Sequence, residues 1–244
     1  MPGERSDQSR LDRGALIGAG AGLVLGAGAT QAANALTTTS TAASDIPDPP
    51  SAGEALMTEH GVLKRLMLVY QTASTQLATG HTPPADAIAQ TAELIADYVE
   101  GFHEGLEEAY IFPRVQAVHP SLIHTLLVQH DRGRHLTSAI SYLAGQNLEQ
   151  AKARTALHRY LDLFINMYAR HEAWEDTVIF PAIRAVSTPQ TLTQLATRFA
   201  ELEDHHYGTS SLTKILTRVS NIEHQLGIAD INTFTPPEIN PPYD

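Results

Sequence analysis

Apolar and polar residues recur with the period of an α-helix along most of this chain. Between Glu54 and Leu77, apolar side chains lie three or four positions apart and so share one helical face; they are Leu56, Met57, Leu63, Leu66, Met67 and Tyr70. Three further long helices are predicted at about 85–117, at about 120–144 and at about 149–185, with short Pro-, Gly- or Asn-containing connections. Long helices joined by short connections predict an all-α fold, an up-down antiparallel four-helix bundle.

The two ends of the chain have different patterns. Two shorter helices are predicted at about 190–206 and 209–226, and the tail beyond them is too rich in proline for a helix. At the start, three arginines precede an uncharged stretch rich in Gly, Ala and Leu, which ends in small residues suited to signal-peptide cleavage. The predicted organisation is a signal peptide at 1–35, a flexible linker at 36–50, a bundle at 51–185, and a helical extension with a Pro-rich tail at 186–244.

Composition narrows the classes of function. The chain has 244 residues and a formal net charge of −11, and it has no basic run, which argues against a nucleic-acid partner. It contains no cysteine, which excludes disulfides, thiolate metal sites and iron–sulfur clusters. The apolar stretch of the leader is too short and too weakly hydrophobic for a comfortable membrane span. The leader pattern favours an exported protein, by a Sec or a degenerate twin-arginine signal, over a disordered leader or an uncleaved anchor.

One motif occurs twice, in the second and in the fourth predicted bundle helix. Residues 103–113 and 171–181 both read His-Glu-x-x-Glu-x-x-x-Ile-Phe-Pro, without gaps. Each copy is preceded on the previous helix by another histidine, His60 in the first case and His130 in the second. The chain therefore contains a duplicated helix–helix unit that carries chemistry.

The spacing of these residues points to metal binding. A histidine and a glutamate four positions apart lie on one helical face, and His60 and His103 lie at equal depths from their shared loop. His130 and His171 differ by about two turns on the same measure, a difference comparable to the error in predicted helix ends. Four imidazoles and two carboxylates exceed what one tetrahedral zinc needs, and they suit two iron ions, or manganese, bridged by Glu107 and Glu175.

These residues resemble the hemerythrin-like family of His-His-Glu cation-binding domains, over about residues 53–184. The resemblance rests on Glu59-His60, on the two motif copies, and on His130-Asp131-x-Gly133-Arg134. It implies a non-haem di-iron centre with Glu107 and Glu175 as bridging ligands. The implied metal ligands are His60, His103, Glu107, His130, His171 and Glu175, with Glu104 as a seventh.

Two departures from the oxygen-carrying members of that family bear on function. Arg134 occupies the position of a second histidine ligand on the third helix, and the fourth helix carries His171-x-x-x-Glu175 instead of a longer His-to-Asp spacing. Both changes are similar to iron- and oxygen-responsive relatives, in which a glutamate such as Glu104 can bind metal. Its repeat mate Glu172 is either a ligand or a nearby supporting carboxylate.

Three classes of function are consistent with the sequence. The first is a di-iron protein that binds, senses or reduces O2, peroxide or NO, including a peroxidase-, catalase- or oxidase-like enzyme; a reversible oxygen carrier has the same ligands. The second is a ferritin-like iron-handling protein, suggested by Glu100-x-x-His103 and Glu203-x-x-His206. The third is a purely structural bundle. Four residues within about one turn of the ligands are expected to wall the site, although packing alone also explains them; they are Val99, Leu106, Met167 and Trp174. Tyr110 or Tyr168 either donates to a bound oxygen species or, as is more common in a bundle core, packs there with a satisfied hydroxyl.

Overall fold

The computed structural model describes residues 50–238, so the predicted leader, nearly all of the predicted linker and the last six residues lie outside the described part. Six helices are described, and two of them contain π-helical segments. They are α1 (Ala52–Ala78), α2 (85–115), α3 (Pro120–Ala144), α4 (151–186), α5 (Pro189–Tyr207) and α6 (Ser211–Leu226). A short 3-10 helix, Ile231–Phe234, follows α6. The predicted all-α fold is confirmed.

Local sequence signals set the helix starts. Ser51 and Glu54 form a capping box at the start of α1, in which the Ser51 hydroxyl accepts from the Glu54 amide and the Glu54 carboxylate accepts from the Ser51 amide. Helix α3 begins at Pro120, where a missing N–H costs nothing. Gly227, with φ of 72°, ends α6 in the left-handed conformation that glycine adopts without strain.

Helices α2 and α4 are not regular α-helices at the repeated motif. Helix α2 contains π-helical segments at Ile95–His103 and Glu107–Ile111, and α4 contains one at Glu175–Ile179. In both copies the motif proline comes two residues after the π segment that begins at the motif glutamate. A π segment shifts the hydrogen-bond register of a helix and is frequent at functional sites, and the proline lacks the N–H that a regular helix would need there.

The four long helices form the bundle. Helix α1 packs against α2 and α4, and α3 packs against the same two helices from the other side. The core between them is apolar and aromatic, with Tyr70, Tyr98 and Phe164 fully buried. Met57, predicted to share the buried stripe of α1, is 39% exposed and lies outside this core.

The two C-terminal helices cover one side of the bundle. Helix α6 packs against α1 and α2, and α5 packs against α1. The Arg65 guanidinium of α1 donates from Nε, at 2.8 Å, and from Nη2 to the two carboxylate oxygens of Glu223 in α6. Among residues 50–238, no helix is both long and apolar enough to cross a membrane.

Candidate metal centre

Six of the seven predicted ligands converge in one layer of the bundle core. His60 comes from α1, His103 and Glu107 from α2, His130 from α3, and His171 and Glu175 from α4. All six are at most 3% exposed. The candidate ligand atoms of these six residues form two groups that share Glu107. One group is Glu107, His130, His171 and Glu175, and the other is Glu107, His60 and His103. Within each group the atoms lie within 4.8 Å of one another.

The connection between α3 and α4 explains the convergence of the last two histidines. His130 lies 14 residues before the end of α3 and His171 lies 20 residues after the start of α4, so the predicted difference in depth is real. Their Nε2 atoms are nevertheless 3.1 Å apart. Segment 145–150 takes up the difference, because α4 begins further from the centre than α3 ends.

Glu107 and Glu175 each face two histidines, one from the pair of His60 and His103 and one from the pair of His130 and His171. Glu107 places Oε1 at 3.4 Å from His103 Nε2 and Oε2 at 3.5 Å from His130 Nε2. Glu175 places Oε1 at 3.1 Å from His171 Nε2 and Oε2 at 3.4 Å from His60 Nε2. Each carboxylate thus presents one oxygen to each of the two histidine pairs.

In each of the four candidate ligand histidines, the ring nitrogen that faces away from the centre, Nδ1, lies within hydrogen-bond distance of a side-chain oxygen. The Nδ1–oxygen distances are 2.8 Å for His60 to Asp176, 2.8 Å for His103 to Glu59, 2.9 Å for His130 to Glu108 and 3.0 Å for His171 to Gln129. A carboxylate or an amide oxygen in this position accepts, so Nδ1 carries the hydrogen. Each Nε2 therefore directs a lone pair at the centre, the arrangement found around metal-binding histidines.

The resulting centre is rich in unsatisfied donor atoms. Both oxygens of Glu107, both oxygens of Glu175 and the Nε2 atom of His60 are buried without a hydrogen-bond partner. The Nε2 atoms of His130 and His171 lie 3.1 Å apart, so either one of them carries a proton that it donates to the other, or a metal ion takes the place of that proton. Nitrogen and oxygen donors without sulfur suit iron or manganese, so the residues present fit the binding of such a metal.

The same electrostatics appear in the pKa values of the ligands. Burial lowers the pKa of His60, but the hydrogen bond to Asp176 and the nearby carboxylate of Glu175 outweigh it and raise the pKa to about 9. Burial also opposes protonation of His130, yet Glu107 and Glu108 raise its pKa to about 10. The buried carboxylates thus attract positive charge to the centre, and a metal ion competes with protons for it.

Two comparisons with known proteins agree with this geometry. Residues 51–143 and 121–224 each match the profile described as the hemerythrin HHE cation binding domain. The chain belongs to this hemerythrin HHE family. Uncharacterized proteins of Mycobacterium bovis and of two Mycobacterium tuberculosis strains are each 36% identical over 192 residues, 77% of this chain and 75% of theirs. No solved structure matches the chain.

The two matches follow the internal repeat of this HHE chain, in which α1–α2 and α3–α4 supply equivalent residues. Mates in the two copies are Glu59 and Gln129, Lys64 and Arg134, Glu108 and Asp176, and Glu104 and Glu172. The role of the four acceptors that hold the candidate ligand histidines was not predicted from the sequence. An acidic residue directly after each motif glutamate was the signal for Glu108 and Asp176.

The motif phenylalanines have a role that spacing alone does not show. Phe112 of the first copy stacks on His130 of the second, with ring centroids 5.5 Å apart. Phe180 of the second copy stacks on His60 of the first at the same distance. Each phenylalanine thus fixes the ring of a histidine from the other repeat and shields it with an apolar surface.

Glu104, the predicted seventh ligand, lies beside the six and is held by other groups. Tyr168 donates its hydroxyl hydrogen to Glu104 Oε1 at 2.7 Å, and Arg134 Nη2 lies 2.7 Å from Oε2. Candidate ligand atoms of Glu104, Glu108 and His130 lie within 4.8 Å of one another. Its mate Glu172 is also buried, with Oε2 3.0 Å from Lys64 Nζ. Metal binding by Glu104 therefore stays a prediction.

The predicted walls of the site are partly corrected. Val99 and Leu106 are buried as expected, but Trp174 is 54% exposed and does not line the centre. Trp174 occupies the last position of α4 before its π segment, on the solvent side of the helix. Tyr110 packs against Phe199 of the extension, with ring centroids 5.6 Å apart.

A cavity of about 750 Å³ lies between the start of α1 and helix α5. Its lining includes Glu59, the carboxylate that holds His103, together with apolar residues such as Leu192 and Phe199. The cavity thus reaches the carboxylate that holds His103, and the C-terminal extension supplies one of its walls.

Proposed function

We propose that this protein is a non-haem di-iron protein that reacts with O2, peroxide or NO, with manganese as the alternative metal. The observation that carries the proposal is the set of four Nε2 lone pairs and four unpartnered carboxylate oxygens in one buried layer. Two bridged iron ions would supply a pair of adjacent one-electron redox centres that accept small oxygen and nitrogen ligands.

The surroundings of the ligands support redox chemistry more than reversible oxygen carriage. Arg134 stands where oxygen carriers of the family have a further imidazole, and its guanidinium pairs with Glu104 and Glu108 beside His130. Fewer neutral nitrogen donors and more carboxylates favour the ferric state. We therefore expect O2 to oxidise the reduced protein, with modest peroxide consumption, instead of binding reversibly.

The ferritin-like alternative receives no support from its second candidate motif. His206 is exposed at the end of α5. In the first motif, Glu100 accepts a hydrogen bond from the Thr137 hydroxyl and belongs to neither of the two clusters of candidate ligands at the centre.

Metal analysis tests the proposal first. Anaerobically purified protein should contain two iron ions per chain, and His171→Ala should lose iron, because it removes a ligand with 3% exposure. His135→Ala is the matched control, since this histidine also lies on a bundle helix but its side chain is 71% exposed. Full iron occupancy in His171→Ala, or equal iron loss in both variants, would overturn the assignment of the centre.

Stopped-flow mixing of the reduced protein with O2 tests the direction of the chemistry. We expect rapid oxidation that is not reversed when O2 is removed. An absorption band that forms with O2 and disappears on deoxygenation would restore the oxygen-carrier alternative.

We also propose that the protein acts outside the cytoplasm, with a mature chain that begins near Leu36. The support is the sequence pattern of the leader, three arginines, an uncharged Gly/Ala-rich stretch and small residues at 33–35. Sequencing the N-terminus of protein from its native host should give a residue close to Leu36. Recovery of Met1 or Pro2 from the cytosol would contradict export.

A further inference from the structure

The two halves of the centre have equivalent ligands but unequal surroundings. One half-site is formed by His60 and His103 and the other by His130 and His171, and both share Glu107 and Glu175. Since each half-site has two histidines and shares the same two glutamates, a difference in charge behind the histidines should make their metal affinities unequal.

The sharpest difference lies behind the histidines of α2 and α4. His103 Nδ1 donates to the carboxylate of Glu59 at 2.8 Å, whereas His171 Nδ1 donates to the neutral amide oxygen of Gln129 at 3.0 Å. Glu59 and Gln129 are repeat mates, so one position carries a charge in one copy and none in the other. Glu59 is 6% exposed, where solvent screens its charge little.

Arg134 and Lys64 lie behind the other two histidines and increase the difference in charge between the half-sites. Arg134 Nη2 lies 2.6 Å from the Glu108 oxygen that holds His130. Lys64 Nζ lies 3.4 Å from Asp176, the carboxylate that holds His60, and contacts its second oxygen. The negative charge behind His130 is therefore neutralised more closely than the charge behind His60.

An anionic acceptor on Nδ1 makes the opposite nitrogen a stronger donor. A carboxylate draws the Nδ1 hydrogen toward itself and leaves more electron density on Nε2, while a neutral amide does so far less. Replacing such a partner typically changes metal affinity by about 10- to 100-fold. The half-site of His60 and His103 has two such carboxylates, and the half-site of His130 and His171 has one, which is also paired with arginine.

We propose that Glu59 is a positioning residue that makes the two half-sites unequal, so that metal fills the half-site of His60 and His103 first. The proposal rests on the two-metal centre proposed above. At limiting metal the protein then holds one ion in a defined half-site, and the second ion follows at higher concentration.

Titration of the metal-free protein with Co2+ tests the order of filling. Calorimetry and the visible absorption of bound Co2+ should give two steps, with dissociation constants about tenfold apart or more. His103→Ala should abolish the tight step, whereas His171→Ala should retain it and lose the weak step. Loss of the same step in both variants would overturn the proposed order.

Exchanging the acceptors identifies their contribution. Glu59→Gln keeps an acceptor but removes the charge, and it should weaken the tight step about tenfold, so that the two constants converge. Gln129→Glu should tighten the weak step by a similar factor, and the double exchange should reverse the effects of the two histidine variants. Glu93→Gln, the same chemical change at an exposed side chain, should alter neither step.

The outcomes separate this proposal from the proposed function. Uptake of fewer than two Co2+ ions by the unaltered protein would contradict the two-metal centre itself. Two steps with equal constants, or two unequal steps that the acceptor exchanges do not change, would leave that centre intact and overturn the role of Glu59. If Glu59→Gln fails to fold, Gln129→Glu still gives a result, because its amide-to-carboxylate change lies at a partly exposed position.

Discussion

At the scale of single residues, the side chain of Tyr168 leaves room only for a glycine at position 133. A Cβ atom at this position would lie 1.9 Å from the hydroxyl oxygen of Tyr168, the group that donates to Glu104. We expect Gly133→Ala to destabilise the protein by about 1–3 kcal/mol, because the phenol must leave its site, and to release the hold on Glu104. Urea unfolding with metal analysis would measure both effects.

Gly61→Ala is the matched control for that substitution. Gly61 also lies inside a bundle helix, but a Cβ atom there would meet nothing within 4 Å. The added methyl group should stabilise α1 by about 0.5–1 kcal/mol through helix propensity. Equal behaviour of the two alanine variants would show that the contact with Tyr168 does not constrain position 133.

Glu100 is the clearest source of pH dependence outside the ligand set. Burial raises its pKa, and although Thr137 and Arg134 oppose this, the value reaches about 7. Between the unfolded value of 4.5 and about 7, the folded state binds more protons than the unfolded state, so the free energy of unfolding falls as pH rises through this range.

Glu100→Gln should remove this dependence, because the amide has no proton to lose. We expect the variant to gain about 1–3 kcal/mol relative to the unaltered protein at pH 8 and little at pH 4.5. Chemical unfolding at both pH values measures the difference. A gain of the same size at both values would show that Glu100 does not titrate in this range.

At the scale of whole elements, the ion pair between α1 and α6 anchors the extension. Glu223 is 7% exposed and accepts two hydrogen bonds from Arg65, so Glu223→Ala should destabilise the protein by about 1–3 kcal/mol. Hydrogen exchange should increase mainly in α6. The exposed pair of Arg218 with Glu93 at 3.3 Å is the control, and Glu93→Ala should cost less than about 0.5 kcal/mol.

The π-helical segments are the second feature that belongs to this scale. The segments that begin at Glu107 and at Glu175 occur at the same point of both motif copies. Because each segment begins at the motif glutamate, the shifted register helps to aim both carboxylates at the centre while Phe112 and Phe180 reach histidines of the opposite repeat.

At the scale of the whole molecule, metal binding and stability are coupled. The four bundle helices each contribute a ligand, so an ion bound at the centre links all of them. A metal present at 100 times its dissociation constant adds about 2.7 kcal/mol to the free energy of unfolding. Chelation should therefore lower the melting temperature by about 5–10 °C, and restored metal should reverse the loss. An unchanged melting temperature would mean that the bundle does not depend on the centre.

The sequence alone was sufficient to predict the helices and the six central residues of the candidate metal centre. Helical periodicity and helix caps are local, so predicted and observed helix ends differ by only a few residues. The repeated motif carried its own register, because a histidine and a glutamate four positions apart share a face in any helix. The six residues that converge in the structure were therefore recognisable in the sequence; they are His60, His103, Glu107, His130, His171 and Glu175.

Tertiary structure decided what surrounds these residues. The acceptors behind the four histidines, the pairing of Arg134 with Glu104 and the exposure of Trp174 depend on how the helices are rotated against each other. The loop at 145–150 and the π segments also set depths and directions that a regular helical period does not contain. Periodicity determines which face of a helix is apolar, but only packing determines which side chain of a neighbouring helix that face meets.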